Sequence, residues 1–304
     1  MKAKFYYLLR NVFDQKTRNK LKMVKYDLEK KLRPLKEKRY GNFSSQDLKR
    51  ALEKKLPAEF DILMVHSSYN TMLPMYKGSP RELLELLLSI CGPEKTLVMP
   101  AFFFGGRAYN YNIRQYFTDK PTFYVDKMPS QMGVLTEIFR NYPGVKVSRH
   151  PTHRITAYGP KADYLTADHE LCLTGCGKGS PFDKMSHGNT LILGVGVRYF
   201  HCMTQTHSAE DVLIEEDRYP TKFDSIQIPV TLQCGGDESF SYSLLHPDKS
   251  AYQRKLHPMV RKILDKEDLF EWRYSGVDLF YARARSVQEK LIAAAINGHS
   301  AYHK

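Results

Sequence analysis

The stretch Asp61-Ile62-Leu63-Met64-Val65-His66-Ser67-Ser68 is an apolar run ending in small hydroxyl side chains. It reads as a strand buried on both faces. Leu83 to Ile90 then has helical character, Gly92-Pro93-Glu94-Lys95 turns the chain, and Thr96-Leu97-Val98-Met99-Pro100 is a second strand. Strand, loop, helix, strand is the signature of an α/β fold.

Toward the C-terminus, Thr190-Leu191-Ile192-Leu193-Gly194-Val195-Gly196-Val197 is another buried run, and Asp211 to Glu216 is helix-compatible. Between them lies His201-Cys202-Met203-Thr204-Gln205-Thr206-His207-Ser208-Ala209-Glu210-Asp211. It occupies a strand-to-helix junction, where α/β proteins usually place reactive side chains. With the helix begun by His207, Glu210 and Asp211 fall at i+3 and i+4 on the histidine's face. A carboxylate there orients an imidazole and favours its protonated form during proton transfer. Spacing alone fits a helix-start histidine beside solvated acids at least as well.

Elsewhere the chain alternates in the same manner. Ser44 is a candidate N-cap with Asp47 three residues on. Phe102 to Phe123 is rich in Tyr, Phe and Asn without clear periodicity, long enough for a loop to imply function or the covering of a site. Gly133 to Arg140 reads as a helix, and Val145-Lys146-Val147-Ser148 as a short strand running into Arg149-His150-Pro151-Thr152-His153. Residues 154–159 are extended, 172–182 are Gly-rich, and 220–246 are β-rich with a hairpin turn at Cys234-Gly235-Gly236-Asp237. Two helices are expected near 258–266 and 285–297.

The 304 residues, 42% hydrophobic, suffice for a sizeable core. No apolar run reaches the roughly 20 residues that cross a bilayer, and Arg10 interrupts Phe5-Tyr6-Tyr7-Leu8-Leu9 before it resembles a signal peptide. Five irregularly spaced cysteines offer no disulfide framework, so a reducing, cytoplasmic setting is expected. Of the net charge of +13, most lies in residues 1–56, with 18 Lys+Arg against 6 Asp+Glu; the remainder holds 28 against 27. A nucleic-acid-binding stripe over the body is therefore not expected. In residues 1–39, Phe5, Leu8, Leu9, Val12 and Phe13 recur at helical spacing before a Lys/Arg-rich segment. Such an arm packs on its own domain, bridges a homo-oligomer, docks on a partner or lies peripherally on the inner face of a membrane.

Three chemistries compete on the residues alone. His150, His153, His201, Cys202 and His207 make a zinc set by composition, yet no metal is expected, because their spacing fits neither a paired-Cys site nor H-E-x-x-H. Gly175-x-Gly177-x-Gly179-Ser180 lacks the P-loop and dinucleotide patterns, although a glycine-rich bend can present N–H groups to phosphates. Ser67-Ser68 lacks the nucleophile elbow of a hydrolase. At a strand end, both serines suit the pantetheine arm of an acyl carrier equally well.

In chain order, Val65-His66-Ser67-Ser68, Gly92 to Pro100, Pro129-Ser130-Gln131-Met132-Gly133-Val134-Leu135-Thr136-Glu137, Arg149 to His153, Gly179-Ser180-Pro181 and Thr204-x-x-His207-x-Ala209-Glu210 follow one pattern. Together they resemble the aminoglycoside 3-N-acetyltransferase family, distinct from the GNAT enzymes, over about residues 44–297. The resemblance implies an α/β single domain at 43–304 with a mixed central sheet flanked by helices, the basic helical extension occupying 1–42. It implies direct transfer from acetyl-CoA to an amine without a metal. His207 would be the general base, with Glu210 orienting it or holding a cationic amino sugar. Ser67, Ser68, Arg149, His150, Thr152, His153 and Thr204 would contact the coenzyme. Met203, Arg154 and Ala101 depart from the family's usual Asn, Ser and Thr, and the segment after Ser68 lacks its paired glycines. Those departures, with the basic arm, point to an amino sugar of surface polysaccharide or lipopolysaccharide, nucleotide- or lipid-linked, as acceptor. The alternatives are an aminoglycoside antibiotic 3-N-acetyltransferase and an O-acyltransferase on the same scaffold.

Overall fold

The computed structural model describes residues 17, 20, 21, 24, 27, 28, 30–235, 238–249 and 251–303. Phe5, Leu8, Leu9, Val12 and Phe13, and Gly236-Asp237 of the hairpin turn, lie outside the described residues. In chain order the strands are β1 (Ile62–Ser67), β2 (Thr96–Pro100), β3 (Thr122–Tyr124), β4 (Lys146–Val147), β5 (Ile155–Tyr158), β6 (Thr190–Val195), β7 (Ser225–Gln233), β8 (Ser239–Pro247), β9 (Gln253–Arg254), β10 (Leu269–Tyr274), β11 (Val277–Arg283) and β12 (Tyr302–His303).

The main sheet has the order β10-β11-β6-β1-β2-β5-β4. Its centre, β6-β1-β2, is parallel, and each flank is antiparallel, so the sheet is mixed. The continuous apolar runs form the parallel strands because both faces are covered. Ile62, Met64, Val98 and Ile192 face one core, while Leu63, Val65, Leu97, Met99, Leu191 and Leu193 face the other. At about 25 cal/mol per Å² of apolar surface removed from water, these two layers supply the main stabilisation.

Three helix starts obey clear local signals. Ser44 and Ser79 each close a capping box, with Asp47 and Glu82 respectively. Ser180 accepts from the Asp183 N–H with Pro181 at the first helical position, which gives the Gly-Ser-Pro motif a plain structural duty.

The supposed loop from Phe102 to Phe123 is corrected: it contains a helix, Ile113–Asp119, and leads into β3. Phe103, Ile113, Tyr116, Phe117 and Phe123 pack with Ile228, Val230 and Leu232 into a third core beneath the small sheet β3-β7-β8. No local periodicity announces it, because its apolar partners come from β7, about a hundred residues away. β10 and β11, which complete one flank of the main sheet, were likewise not anticipated.

Candidate active site

The helix Gln205–Glu215 begins where the chain leaves β6 and a short turn. The Thr204 carbonyl accepts the His207 N–H at 2.7 Å, so His207 sits in the first turn and Glu210 follows on its face. The expected pair is formed, with His207 Nδ1 3.1 Å from Glu210 Oε2. Glu210 also binds Arg254, whose Nε and Nη2 donate to Oε1 at 3.1 and 2.7 Å. The Tyr302 hydroxyl donates to Oε2 at 3.0 Å, and Lys249 Nζ stands 3.7 Å away.

Glu210 retains only 4% of its side-chain exposure, against 37% for His207. Burial alone would raise the Glu210 pKa, but Arg254, then His207, reverse that and hold it well below the carboxylate range. An ionised carboxylate only accepts, so Nδ1 of His207 carries the hydrogen and Nε2 keeps the lone pair. The same crowding corrects one expected role. A carboxylate already engaged by Arg254, Tyr302 and His207 is unsuited to hold a substrate's ammonium group.

Burial, followed by Arg254, lowers the His207 pKa to about 4, with Glu210 pulling the other way. Protonation is thus disfavoured, and the imidazole stays a free base throughout the neutral range. The pH dependence of kcat should carry an acid limb below the ordinary histidine value of about 6.5, with His207 imposing no loss as pH rises. A limb above 7 that disappears in His207→Gln would contradict this.

Arg254, Tyr302 and Lys249 were not found by sequence reasoning. Arg254 lies on β9 and Tyr302 on β12, which pair antiparallel with each other, and nothing local to either marks a role 44 or 92 residues away.

Arg149-His150-Pro151-Thr152-His153 forms a turn built around His150. Its Nδ1 accepts from the N–H groups of Thr152 and His153, at 3.1 and 3.0 Å. Nε2 is 2.9 Å from the Tyr242 hydroxyl, which donates to the Cys172 carbonyl. His150 is fully buried, and Thr152 is buried. Arg149 is bound to Glu238 at 3.0 Å and to Glu170 at 3.5 Å. Thr204 is buried with its hydroxyl on the Cys202 carbonyl. His150, Thr152 and Thr204, expected to meet the coenzyme, spend these side-chain polar atoms inside the protein, while Arg149 keeps 37% of its side-chain exposure beside Glu238.

His153 is different. It is half-buried, its Nδ1 lies 2.8 Å from Thr152 Oγ1, and its ring meets Phe102 at 4.8 Å. Burial lowers its pKa to about 3, and the next cause is His207, so the two imidazoles sense each other's charge.

The glycine-rich segment is strapped down. Glu215 accepts from Thr174 N and Oγ1 through Oε1, at 3.1 and 2.6 Å, and from Lys178 N through Oε2 at 2.9 Å. These N–H groups, which suggested phosphate binding, already hold a carboxylate. A Cβ on Gly175 would lie 2.4 Å from His153 Nδ1, and one on Gly177 would lie 2.0 Å from Glu215 Oε1. Glycine is required there for close approach.

Ser67 and Ser68 line a cleft of about 470 Å³ with Tyr69, Asn70 and residues 131–135. Its wall is fixed by the 129–137 motif. Glu137 accepts from Ser130 N at 2.7 Å, and Gln131 Oε1 accepts from Phe104 N at 2.8 Å. Gln131 N donates to the Phe102 carbonyl, joining this wall to the ring that packs on His153.

Other chemistries lose ground. Among the described residues no group of three or more His, Cys, Asp or Glu is arranged to hold a metal ion. Burial pushes Cys202 far above the ordinary thiol range and Cys172 up to about 11, so neither offers a thiolate. Asp211 is pushed up to about 6 by burial and stands apart from the His207 contacts.

A family model described as aminoglycoside 3-N-acetyltransferase matches residues 64–264. Aminoglycoside N(3)-acetyltransferase IV of a Salmonella species is 33% identical over 141 residues, 44% of this chain and 47% of that protein. The chain thus spans about half the length of this curated relative. Aminoglycoside acetyltransferase AAC(3)-Xa superposes with a TM-score of 0.70 at 20% identity, covering 88% of this chain and 98% of that one. AAC-IIIb, solved as a binary complex with CoASH, gives 0.66 at 20% identity, over 83% and 96%. At such identities the structural likeness carries the fold.

Proposed function

The chain belongs to the aminoglycoside 3-N-acetyltransferase family, and from that premise we propose that it transfers the acetyl group of acetyl-CoA to an amine of an aminoglycoside-type amino sugar. The observation that carries this reading is the His207–Glu210 pair, 3.1 Å apart, at the family's motif with the imidazole held neutral. The amine nitrogen attacks the thioester carbonyl, a C–N bond forms, the C–S bond breaks, and CoA departs as a thiolate that afterwards takes up the proton held by His207. Nε2 of His207 takes the proton the amine gives up, and the imidazolium is balanced by Glu210. Ser67, Ser68 and the 131–135 wall bound the cleft that suits the pantetheine arm, and binding of CoASH by a structural relative supports the same coenzyme here.

Three of the departures that suggest a polysaccharide acceptor lie away from any open surface. Met203, Ala101 and Arg154 are at 2%, 0% and 0% exposure, packed in the interior. Arg154 ties the Met128 carbonyl at 2.9 Å and lies over the Phe123 ring. These three interior residues thus give no sign of an altered acceptor, and the family's aminoglycosides are the better expectation. Membrane contact through the basic arm is a distinct proposal, independent of acetyl transfer.

Release of free CoA thiol should accelerate when acetyl-CoA is mixed with the protein and a 2-deoxystreptamine aminoglycoside, and the product should carry an N-acetyl group by mass spectrometry. Turnover only with hydroxyl acceptors would favour the O-acyltransferase; no turnover with any aminoglycoside would overturn the acceptor class.

A further inference from the structure

We infer that the N-terminal arm is a docking surface for an anionic lipid bilayer. Residues 17, 20, 21, 24, 27, 28, 30 and 31 are helical, and Arg33–Tyr40 continues as a helix. The Leu32 N–H donates to Leu28 O and Lys36 N to Leu32 O, which carries the ladder past Pro34. Leu21, Val24, Leu28, Leu32 and Leu35 are exposed at 42, 64, 55, 38 and 63%. At 100° per residue these five fall within an arc of about 80°. Among the described residues, no side chain of the body covers them to the extent a packed helix face requires.

The charge says what fits this stripe. Residues 17–40 hold ten Lys+Arg and three Asp+Glu. Lys20, Lys31 and Lys38 fall on one margin of the apolar arc, within about 40° of it, where their ammonium groups reach phosphate while the stripe enters the acyl boundary. Asp27 and Glu37 fall outside the arc, and Glu37 is turned to Lys77 at 2.7 Å. A second copy would bring two such basic helices side by side, which like charge opposes; an anionic surface attracts them. Tyr40 packs against Gly276, where a Cβ would meet the ring at 2.7 Å, so the arm is joined to the body at its base.

The test uses the full chain with vesicles of phosphatidylcholine alone or mixed with phosphatidylglycerol. Sedimentation with the anionic vesicles at low salt is expected, with release near 1 M salt, where the screening length is about 3 Å. Lys20→Glu with Lys31→Glu should lower partitioning by more than about fivefold for each lysine lost, and Val24→Glu with Leu28→Glu should abolish it. Both variants should melt and release CoA thiol as the parent does, since the arm lies outside the catalytic machinery. Equal binding by the variants or by neutral vesicles would overturn the inference. So would an arm-dependent dimer in solution that ignores anionic vesicles.

Discussion

Replacing His207 by alanine is expected to lower kcat at least about 100-fold, the lower range of a general base's contribution. The imidazole is placed in the first turn of its helix by the Thr204 carbonyl and oriented by Glu210 at 3.1 Å, so alanine removes the proton acceptor without disturbing the backbone. Affinity for CoA, measured by calorimetry, should be unchanged, because Ser67, Ser68 and residues 131–135 line the cleft proposed for the coenzyme and His207 does not. A rate within tenfold of the parent would transfer the base assignment to another group. His153 would be examined next, being half-buried and close enough for its charge to interact with that of His207.

Breaking the Glu210–Arg254 pair should have the largest effect on stability. Glu210 is at 4% side-chain exposure and Arg254 at 25%. Arg254→Ala leaves a buried carboxylate without its principal counter-ion, which costs on the order of 3–5 kcal/mol. The urea midpoint should fall accordingly at unchanged slope. Glu210→Gln combined with Arg254→Met removes both charges and should recover much of the loss, because the desolvation of two ions is removed together with their attraction. A single Arg254→Ala costing under about 1 kcal/mol would mean the pair is effectively solvated. If the double variant regains stability but not turnover, the network's role in orienting His207 is separated from its role in folding.

Legibility differed from residue to residue. β1, β2 and β6 could be read because a strand buried on both faces must be apolar at every position. The helix bearing His207 could be read because Glu210 lies only three residues on, within one turn. His150 belongs to a motif, and a motif records that a residue matters without recording why; here it receives two backbone N–H groups and closes a turn. Met203 and Arg154 looked like markers of an altered acceptor, and burial in the core removes that meaning. The aromatic segment after Phe102 looked like a loop because its helix and strand are stabilised by β7 rather than by their own periodicity.

The sequence by itself determined the α/β class, the parallel strands at the centre of the sheet, the capped helix starts, and the face that His207 shares with Glu210. Each follows from side-chain pattern or hydrogen bonding within a few residues. Only the tertiary structure decided that Arg254 holds Glu210 ionised while Tyr302 donates to it, that Glu215 fills the glycine-rich bend, and that Ser67 and Ser68 open on a cleft. Those contacts join residues 37 to 92 positions apart. The free energy of a buried charge depends on which distant groups the fold brings around it, and no local pattern encodes that.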